Sequence, residues 1–324
     1  MQVLRDEPLA RHAWWRVGGP VDRYVVVDTL EDLATELRAN GVPLLVLGNG
    51  SNLLVPDAGL RGTVLKLGSG FATTEVLDAL DATTAAGGVA GGGSPPPQES
   101  PTNDLSSRRI TRVRVGAGLA NTVLLARLGK LGLGGAGCLA GVPGTVGGSI
   151  AMNAGTVLGE IERVLESVEG VDQNGEFRVI ERNALPMVYR EGGLPHGFLV
   201  THATLRLSPE GVAEEAAAIR HHLDRRKATQ PLHLPSCGST FRNPPGTAAG
   251  ALIEAAGLKG HRVGGAQISE KHANFIVNLG EATASDVMGC IRAAWEGVRA
   301  HACVTMVPEV HVVGEWDAGA WPLA

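Results

Sequence analysis

A hydroxyl side chain on a stiff loop is the first candidate for chemistry in this sequence. Ser239 lies in the stretch Ser236–Pro244, directly after Gly238, and Arg242 and Asn243 follow it. A small polar group on a loop bounded by Gly and Pro can hold a proton donor beside a ligand. Most Gly-Ser pairs are ordinary turns, so this stretch alone favours a structural role.

Two glycine-rich loops are candidates for binding a ligand. Gly48–Asn52 follows an apolar run, and Gly141–Ser149 contains four glycines and a proline. Successive unhindered N–H groups with short polar side chains can cradle a diphosphate. Each loop alone is also typical of a tight turn. Together they suggest one long ligand, such as a dinucleotide, that spans two subdomains.

Neither standard nucleotide motif fits the first loop, because Leu53 replaces the third glycine of the dinucleotide fingerprint and no Lys-Ser/Thr follows. The glycine content of 141–149 argues against a helix interior there. Gly116, in Gly116–Gly118, is a weaker third candidate that turn chemistry explains equally well.

A few charged residues could complete a site. Arg190, after Tyr189, has the planar head group that grips a carboxylate by two hydrogen bonds. Glu309 lies in Val307–Val310, where a strand would alternate its side chain into a site. Each is more often part of a surface ion pair. His272 is explained as well by a polar position at a strand entrance.

The elements that position the first loop form a predicted α/β unit at about 20–68. Tyr24–Val27 and Leu44–Leu47 are short apolar runs typical of buried strands. Between them, Thr29–Asn40 places Leu30, Leu33 and Leu37 at helical spacing, with Thr29 as the N-cap.

A biased segment, 83–107, is rich in Gly, Pro, Ala and Ser. Its composition cannot bury enough apolar surface to offset the entropy of ordering, so we expect a mobile surface loop. We interpret Val64–Leu67 before it and Arg112–Val115 after it as strands of one sheet.

The C-terminal half alternates predicted strands and helices. The sequence predicts strands at Leu199–Leu207 and Asn274–Val277. It predicts helices at Gly211–Arg226, at Ala249–Ala256, and at 284–301, the last capped by Thr283 or Ser285.

Composition excludes several function classes for the 324-residue chain. A net charge of −5 without a basic stripe argues against nucleic-acid binding, and no run of 18 apolar residues suggests a membrane span. The four cysteines have no CxxC spacing, so we expect no metal site. The charged N-terminus lacks the apolar region of a signal peptide, and we expect a cytoplasmic protein.

The candidate residues belong to a longer series of motifs in one order, and in this the chain resembles the UDP-N-acetylenolpyruvoylglucosamine reductase family from about Arg11 to Gly314. The series consists of Arg16–Pro20, Leu47–Val55, Ala140–Gly148, Met152–Gly155, Tyr189-Arg190, Gln230-Pro231, Cys237–Pro244, Ala256–Gly260, Ser269–Ala273 and Pro308–Val310.

The resemblance implies an α+β protein: an FAD-binding fold of the vanillyl-alcohol-oxidase type, with two α/β subdomains, plus an α+β substrate-binding domain. The corresponding ranges are 1–68 and 69–208 for the FAD-binding subdomains and 209–312 for the substrate-binding domain. The tail 313–324 would pack on the first. It further implies non-covalent FAD reduced by NADPH, a UDP-N-acetylglucosamine enolpyruvate substrate converted to UDP-N-acetylmuramate for peptidoglycan, and a monomer.

The resemblance also assigns roles to residues. Ser239 would protonate the enol carbon, while Arg190 and Glu309 would polarise the carboxylate end of the enolpyruvyl group. The implied FAD-binding residues are Arg16, Gly48, Asn49, Gly50, Ser51, Asn52, Gly116, Gly141, Pro143, Gly144, Thr145, Gly147 and Gly148. The implied substrate-binding residues are Tyr189, Lys227, Asn243 and His272.

The chain departs from the family pattern at two positions. Gly192 replaces the serine of Tyr-Arg-x-Ser, and Gly137 replaces a glutamate that is common before the second glycine loop. The short interval from Tyr189 to Ser239 resembles the class without an extra tyrosine-bearing substrate loop. Two alternative functions remain: another FAD-dependent oxidase of the same fold, and a non-catalytic flavin-binding or nucleotide-sugar-binding module.

Overall fold

The computed structural model describes residues 1–41, 43, 45–80 and 109–316, which form two compact units. The first unit comprises Met1–Gly68 and the chain from His222 onward, and the second comprises Ser69–His221. The first division lies at the predicted boundary after residue 68, whereas the second lies after His221 and not after residue 208. The ranges predicted as the first FAD-binding subdomain and as the substrate-binding domain share one unit, and their separation stays a prediction.

Within the described residues the chain forms sixteen strands and six α-helices. The strands are β1 (Gln2–Pro8), β2 (Pro20–Val27), β3 (Leu45–Val46), β4 (Leu53–Leu54), β5 (Leu60–Leu67), β6 (Thr74–Leu80), β7 (Ile110–Gly116), β8 (Gly155–Thr156), β9 (Gly159–Glu160), β10 (Leu165–Val171), β11 (Phe177–Glu181), β12 (Leu199–Leu207), β13 (Arg262–Val263), β14 (Ala266–Ile268), β15 (Ile276–Asn278) and β16 (His311–Val312). The helices are α1 (Leu30–Asn40), α2 (Asn121–Lys130), α3 (Val146–Ala151), α4 (Val212–Thr229), α5 (Ala249–Ala255) and α6 (Ala284–Ala302).

The N-terminal part of the first unit is the predicted small α/β unit. Its sheet has the order β1-β2-β5-β3, with β2, β5 and β3 parallel and β1 antiparallel at the edge. Helix α1 begins as predicted, because the Thr29 hydroxyl accepts the Asp32 N–H. Of the three leucines at helical spacing, Leu33 and Leu37 are buried, whereas Leu30 is exposed. Buried apolar residues of β2 and β5 form one core cluster beside this sheet.

The C-terminal part of the first unit packs α5 and α6 with the three-stranded sheet β13-β14-β15. Helix α6 begins with a capping box in which the Thr283 hydroxyl and the Asp286 carboxylate each bond the other residue's backbone N–H. The buried face of α6 carries Val287, Ile291 and Val298 at helical spacing.

Trp15 ties the two parts of the first unit together. Its indole N–H donates to the Ile276 carbonyl at 2.7 Å, and the Asn278 amide donates to the Trp15 carbonyl at 2.8 Å. Strand β16 pairs in parallel with β4, and the Val313 N–H donates to the Leu54 carbonyl. Residues 311–313, just before and at the start of the predicted tail, therefore pair with Leu53–Leu54 in the N-terminal part of the unit. Residues 317–324 lie outside the described part of the chain.

The second unit is built on the antiparallel sheet β11-β10-β12-β7-β6. Strand β12 is central and almost wholly buried, in agreement with the predicted strand at Leu199–Leu207. On β7, Val113 and Val115 are buried, and Arg114 on the other face forms a two-bond ion pair with Glu169. Helices α2 and α3 lie in this unit.

One prediction about strands is wrong, and the bounds of another are shifted. Val64–Leu67 and Arg112–Val115 belong to different sheets, because β6, which the sequence analysis missed, precedes β7 and pairs with it. The strand predicted at Asn274–Val277 begins two residues later, at Ile276, because Asn274 holds the neighbouring loop at Phe241 instead. The predicted surface loop 83–107 lies outside the described residues. No helix in the described ranges is long and apolar enough to cross a membrane.

Deleting most of 87–103 should leave catalytic efficiency and melting temperature nearly unchanged. Strands β6 and β7 are neighbours in register, with Leu80 opposite Ile110, so a shorter connection joins strands that already pair. Halving the length of a loop changes its closure entropy by only about 0.6 kcal/mol. Steady-state kinetics and thermal denaturation of the shortened protein test this. A large fall in kcat/KM at an unchanged melting temperature would show that the segment takes part in binding.

Candidate active site

Ser239 lies on a segment that is held by backbone hydrogen bonds on both sides. The Thr240 N–H donates to the Asn274 carbonyl at 2.8 Å, and the Glu309 N–H donates to the Thr240 carbonyl at 2.9 Å. Isolated bridges join Ser239 to Phe275 and Phe241 to Pro308. The structure therefore brings Ser239 and Glu309, two of the three predicted catalytic residues, onto neighbouring segments of the first unit.

Asn274 fixes the Ser239 segment through its side chain. Its carbonyl oxygen accepts the Phe241 N–H at 3.0 Å, and its amide donates to the Phe241 carbonyl at 2.8 Å. Both residues are buried. The sequence analysis missed Asn274. The available signal was a polar residue at the start of the apolar run Phe275–Val277.

The first glycine loop lies beside Glu309. The Asn52 amide donates to the Glu309 carbonyl at 3.0 Å. Gly50 has φ +62°, and an added Cβ would lie 2.0 Å from the His12 carbonyl oxygen, so only glycine fits there. The Trp14 N–H holds the Gly50 carbonyl at 3.0 Å. This loop is a preformed turn whose shape the protein itself requires.

Cys237, two residues before Ser239, has a structural role. It is buried in the core of the first unit, and its thiol points at the carbonyls of Leu53 and Gly50, at 3.7 and 3.9 Å. Burial raises the pKa of this thiol to about 12, so it stays protonated. Cys237 is therefore a buried core residue beside the site.

Three predicted substrate-binding residues lie around the start of α5 and the loop before β15. The Asn243 side chain accepts the Ala249 N–H at 3.1 Å and so holds the first turn of α5. The exposed Lys227 offers its carbonyl to the Lys271 ammonium group. Burial, reinforced by Lys259, lowers the pKa of His272 below its ordinary value, so the imidazole is neutral at pH 7.

Arg16 is presented to solvent by its neighbours. Its φ is +58°, in the left-handed region, and Trp15 and Val17 on either side are buried. A non-glycine residue in this region is uncommon and is held there by the surrounding structure. Anchoring of both neighbours fixes the backbone from which the Arg16 side chain extends.

The second glycine loop is shaped by a helix that the sequence analysis excluded. Helix α3 begins at Val146, and the Thr145 hydroxyl accepts the Gly148 N–H. The glycine content argued against a helix interior in 141–149, but the first turn of α3 lies there, because Thr145 caps the helix and the buried Val146 and Ile150 anchor it. An added Cβ at Gly147 would lie 3.0 Å from Ala117 Cβ, whereas one at the exposed Gly148 would meet only the Thr145 hydroxyl, at 3.6 Å.

Asn121, which the sequence analysis did not single out, holds this loop at three points. Its amide donates to the Val142 carbonyl at 3.2 Å and to the Ser149 hydroxyl at 2.8 Å, and its N–H donates to the Gly144 carbonyl at 3.1 Å. At Gly116 an added Cβ would lie 2.0 Å from the Phe71 carbonyl oxygen. Close backbone packing therefore accounts for this glycine without a ligand.

Arg190 occupies a strained position in a tight turn of the second unit. Val188 and Glu191 exchange two backbone hydrogen bonds of 2.9 Å, and Tyr189 and Arg190 form the two central residues. Arg190 has φ +61°, and its guanidinium carbon lies 4.8 Å from the centre of the Tyr189 ring. Strain of this kind costs about 1–3 kcal/mol and concentrates at functional sites.

Both departures from the family pattern have local explanations. The Glu215 carboxylate from α4 accepts the N–H groups of Gly135 and Gly137, each at 2.7 Å, and an added Cβ at Gly137 would lie 2.5 Å from it. An added Cβ at Gly192 would lie 2.0 Å from the Ile150 carbonyl oxygen. This chain therefore supplies a carboxylate from α4 and packs Gly192 directly on α3.

Residues 230–313 match the family model described as UDP-N-acetylenolpyruvoylglucosamine reductase, C-terminal domain. Proteins named UDP-N-acetylenolpyruvoylglucosamine reductase from a species of Anaeromyxobacter and from Moorella thermoacetica are 42% and 40% identical, over 98% and 97% of this chain and 90% and 94% of their own sequences.

A solved structure agrees with the sequence comparisons. The crystal structure of UDP-N-acetylenolpyruvylglucosamine reductase from Thermus caldophilus matches with a TM-score of 0.73 at 34% identity, and covers 96% of this chain and 98% of its own. The match confirms the predicted α+β fold class, the FAD-binding fold of the vanillyl-alcohol-oxidase type with an added α+β domain.

Asn274→Ala should destabilise the first unit and disturb the Ser239 segment together. The change leaves the buried N–H and carbonyl of Phe241 without their partners, at about 1–3 kcal/mol for each group. Urea unfolding measures the loss. Asn174→Ala, at an exposed turn position, is the matched control and should leave the unfolding free energy within about 0.5 kcal/mol of wild type. Equal stability of the two variants would contradict the structural role of Asn274.

Proposed function

Since the chain belongs to the UDP-N-acetylenolpyruvoylglucosamine reductase family, we propose that it reduces the enolpyruvyl group of UDP-N-acetylglucosamine enolpyruvate to UDP-N-acetylmuramate, with NADPH as electron donor and FAD as bound cofactor. The observation that carries this proposal is the pairing of the Ser239 and Glu309 segments inside the range that matches the family's C-terminal domain. Cytoplasmic location and a monomeric state stay predictions from the sequence.

The residues present fit a flavin dinucleotide. The exposed Gly148 leaves open space where a side chain would stand, and the Gly50 turn is preformed. We propose that the loops at 48–52 and 141–148, with Arg16, hold the cofactor through backbone N–H groups. When bound, FAD would take up hydride from NADPH and deliver it to the enolpyruvyl group.

Non-covalent binding agrees with the chemistry of the cysteine that precedes the second glycine loop. Cys138 precedes the second glycine loop and is buried, and burial raises the pKa of its thiol to about 12. A protonated thiol is a poor nucleophile. Cys138 is therefore a core residue rather than an attachment point for the flavin.

Ser239 is proposed as the proton donor. Hydride addition to one carbon of an enol ether develops carbanion character at the other, and a positioned acid must protonate that carbon. A serine hydroxyl is a weak acid, so it needs a fixed position and charged neighbours. The backbone hydrogen bonds of Thr240 fix the position of the neighbouring Ser239, and Glu309 on the adjoining segment is a charged residue near it.

Arg190 and Glu309 are proposed to act on the carboxylate end of the enolpyruvyl group. A cation on the carboxylate stabilises the negative charge that grows on the neighbouring carbon. The planar guanidinium group can bind both oxygens of a carboxylate at once. Tyr189, Lys227, Asn243 and His272 are proposed to contact the nucleotide-sugar, with the neutral imidazole of His272 serving as a hydrogen-bond partner rather than a charge.

Two other functions would use part of the same machinery. A flavin oxidase of the same fold would pass electrons to oxygen, and a non-catalytic module would bind flavin or nucleotide-sugar without turnover. Neither needs a hydroxyl and a carboxylate on paired segments, which this chain has at Ser239 and Glu309. The reductase is therefore the better-supported function.

The electron acceptor of the reduced protein tests the proposed function. Under anaerobic conditions, NADPH should bleach the flavin absorbance near its visible maxima, and UDP-N-acetylglucosamine enolpyruvate should restore it with formation of UDP-N-acetylmuramate. UDP-N-acetylglucosamine, which lacks the enolpyruvyl group, is the matched control and should restore nothing. Reoxidation by oxygen alone, with no response to the nucleotide-sugar, would show an oxidase. A protein that binds flavin or the nucleotide-sugar, but whose flavin absorbance responds to neither NADPH nor the nucleotide-sugar, would be a binding module.

Gly148→Ala should weaken FAD binding without harming the fold. The added methyl group contacts only the Thr145 hydroxyl within the protein, but it fills the space proposed for the cofactor. Overpacking costs about 1–3 kcal/mol, so affinity should fall about tenfold or more. Gly129→Ala in α2 is the matched control, because its Cβ meets nothing within 4 Å. Titration of apoprotein with FAD, followed by flavin fluorescence, gives both affinities; equal values would remove Gly148 from the cofactor site.

Arg190→Lys should impair reduction of the nucleotide-sugar although the charge is kept. Both residues have the same backbone strain at φ +61°, so the comparison isolates the planar head group, whose two parallel bonds an ammonium cannot reproduce. Loss of one stabilising donor costs about 10²–10³-fold in rate. Glu309→Gln should slow the same step. Reoxidation of reduced flavin by the nucleotide-sugar is the measurement, and a normal rate in either variant would count against its proposed role.

A further inference from the structure

Asn153 is a buried polar residue in a backbone conformation that most residues avoid. It is fully buried, and its φ is +40°. Asn tolerates the left-handed region better than other residues with a side chain, but the position still costs energy. Such a residue persists because its side chain or its surroundings require it. Nothing in the proposed reaction uses Asn153 directly.

The Asn153 side chain makes hydrogen bonds at both ends. Its amide donates to the Val188 carbonyl at 3.1 Å and to the Glu160 carboxylate at 3.4 Å. Its carbonyl oxygen accepts the Glu162 N–H at 3.4 Å. The strongest of these bonds, judged by distance, is the one to Val188, which lies 35 residues further along the chain.

Val188 is the first residue of the turn that carries Arg190. Its carbonyl accepts the Glu191 N–H at 2.9 Å as well as the Asn153 amide, so both bonds converge on the atom that closes the turn. Directly after the turn, the Gly192 N–H donates to the Ala151 carbonyl at 2.9 Å. The turn is therefore joined at its two ends to residues 151 and 153, at the end of α3.

We propose that Asn153 is a positioning residue for Arg190. The left-handed φ of Arg190 has to be held by its surroundings, and the hydrogen bond from Asn153 to the Val188 carbonyl does so at the base of the turn. Because α3 also forms the end of the second glycine loop, the same short helix sets the cofactor loop and the arginine turn. The inference rests on the proposed function, since it takes Arg190 to bind the substrate carboxylate.

Two substitutions separate the hydrogen bond from the backbone conformation. Asn153→Gly keeps the left-handed φ at no steric cost and removes the side chain. Asn153→Asp keeps the size and the acceptor for the Glu162 N–H, but places an oxygen against the Val188 carbonyl and the Glu160 carboxylate. Thr156→Val, which removes the hydroxyl acceptor of the Leu158 N–H in the neighbouring hairpin, is the matched control.

The test is a double-mutant cycle between each Asn153 variant and Arg190→Ala in the full-length holoprotein. Isothermal titration measures the dissociation constant of UDP-N-acetylmuramate, which carries the carboxylate. Stopped-flow absorbance measures the two half-reactions separately, and thermal denaturation reports folding. A residue that acts through Arg190 should lose its effect once Arg190 is gone, whereas general destabilisation would persist in that background.

We expect each Asn153 variant to slow reoxidation by the nucleotide-sugar about 10²-fold, as a displacement of about 1 Å can, and to weaken binding of the product. Flavin reduction by NADPH should stay within about twofold of wild type. In the Arg190→Ala background, an added Asn153 substitution should change the reoxidation rate and the dissociation constant by no more than about twofold relative to Arg190→Ala alone. Thr156→Val should match wild type.

Wild-type kinetics in Asn153→Gly and Asn153→Asp, or effects of equal size with and without Arg190, would overturn the inference while leaving the proposed function intact. A wild-type protein that neither binds UDP-N-acetylmuramate nor reacts with the nucleotide-sugar would overturn the proposed function, and the inference with it.

Discussion

Backbone pairing of residues 239–242 with two flanking segments is the constraint on which the candidate site depends. Thr240 donates to Asn274 on one side and accepts from Glu309 on the other, and the Arg242 N–H donates to the Val307 carbonyl. Residues 239–242 form isolated bridges and no regular strand. These few backbone bonds, with the two hydrogen bonds of the Asn274 side chain, therefore hold the segment in place. Each buried group left unpaired would cost about 1–3 kcal/mol. Ser239 and Glu309 therefore hold their positions before any ligand arrives.

In the second unit, side-chain hydrogen bonds and a short capped helix hold the glycine loop and the Arg190 turn in place. Asn121 holds the glycine loop, Thr145 caps α3, and residues at the end of α3 bind both ends of the Arg190 turn. A helix of only six residues is marginal alone and gains its stability from packing. Its packing against the sheet connects the second glycine loop, proposed to hold the cofactor, with the Arg190 turn, proposed to hold the substrate carboxylate.

Local signals in the sequence predicted much of the fold. Thr29 and Thr283 cap the helices that they were expected to cap, and the apolar runs at Tyr24–Val27 and Leu199–Leu207 are strands. These features depend on neighbours within a few residues, which a pattern records. The family was recognised from the order of motifs spread along the chain. Ser239, Glu309 and the two glycine loops each carry a weak signal alone, but together they occur in the order of one family.

Features that depend on distant partners were not predicted. The partners of Asn274 and Asn153 lie 33 and 35 residues away, so no local pattern distinguishes them from ordinary polar residues. The failure at 141–149 has a different origin: glycine is unfavourable in helices, but a capping threonine and two buried aliphatic residues outweighed that cost in α3. Sheet membership of Val64–Leu67 and Arg112–Val115 could not be assigned because β6 was not recognised between them.

Ser239→Ala tests most directly whether Ser239 delivers the proton to the substrate, as proposed. Anaerobic stopped-flow absorbance follows flavin reduction by NADPH and reoxidation by the nucleotide-sugar in one preparation. A proton donor acts only in the second step, so reduction should proceed at the wild-type rate while reoxidation slows about 10²–10⁴-fold. Equal slowing of both steps would show that Ser239 positions the flavin, and an unchanged rate of reoxidation would contradict the account and leave the Gly-Ser pair as a structural turn.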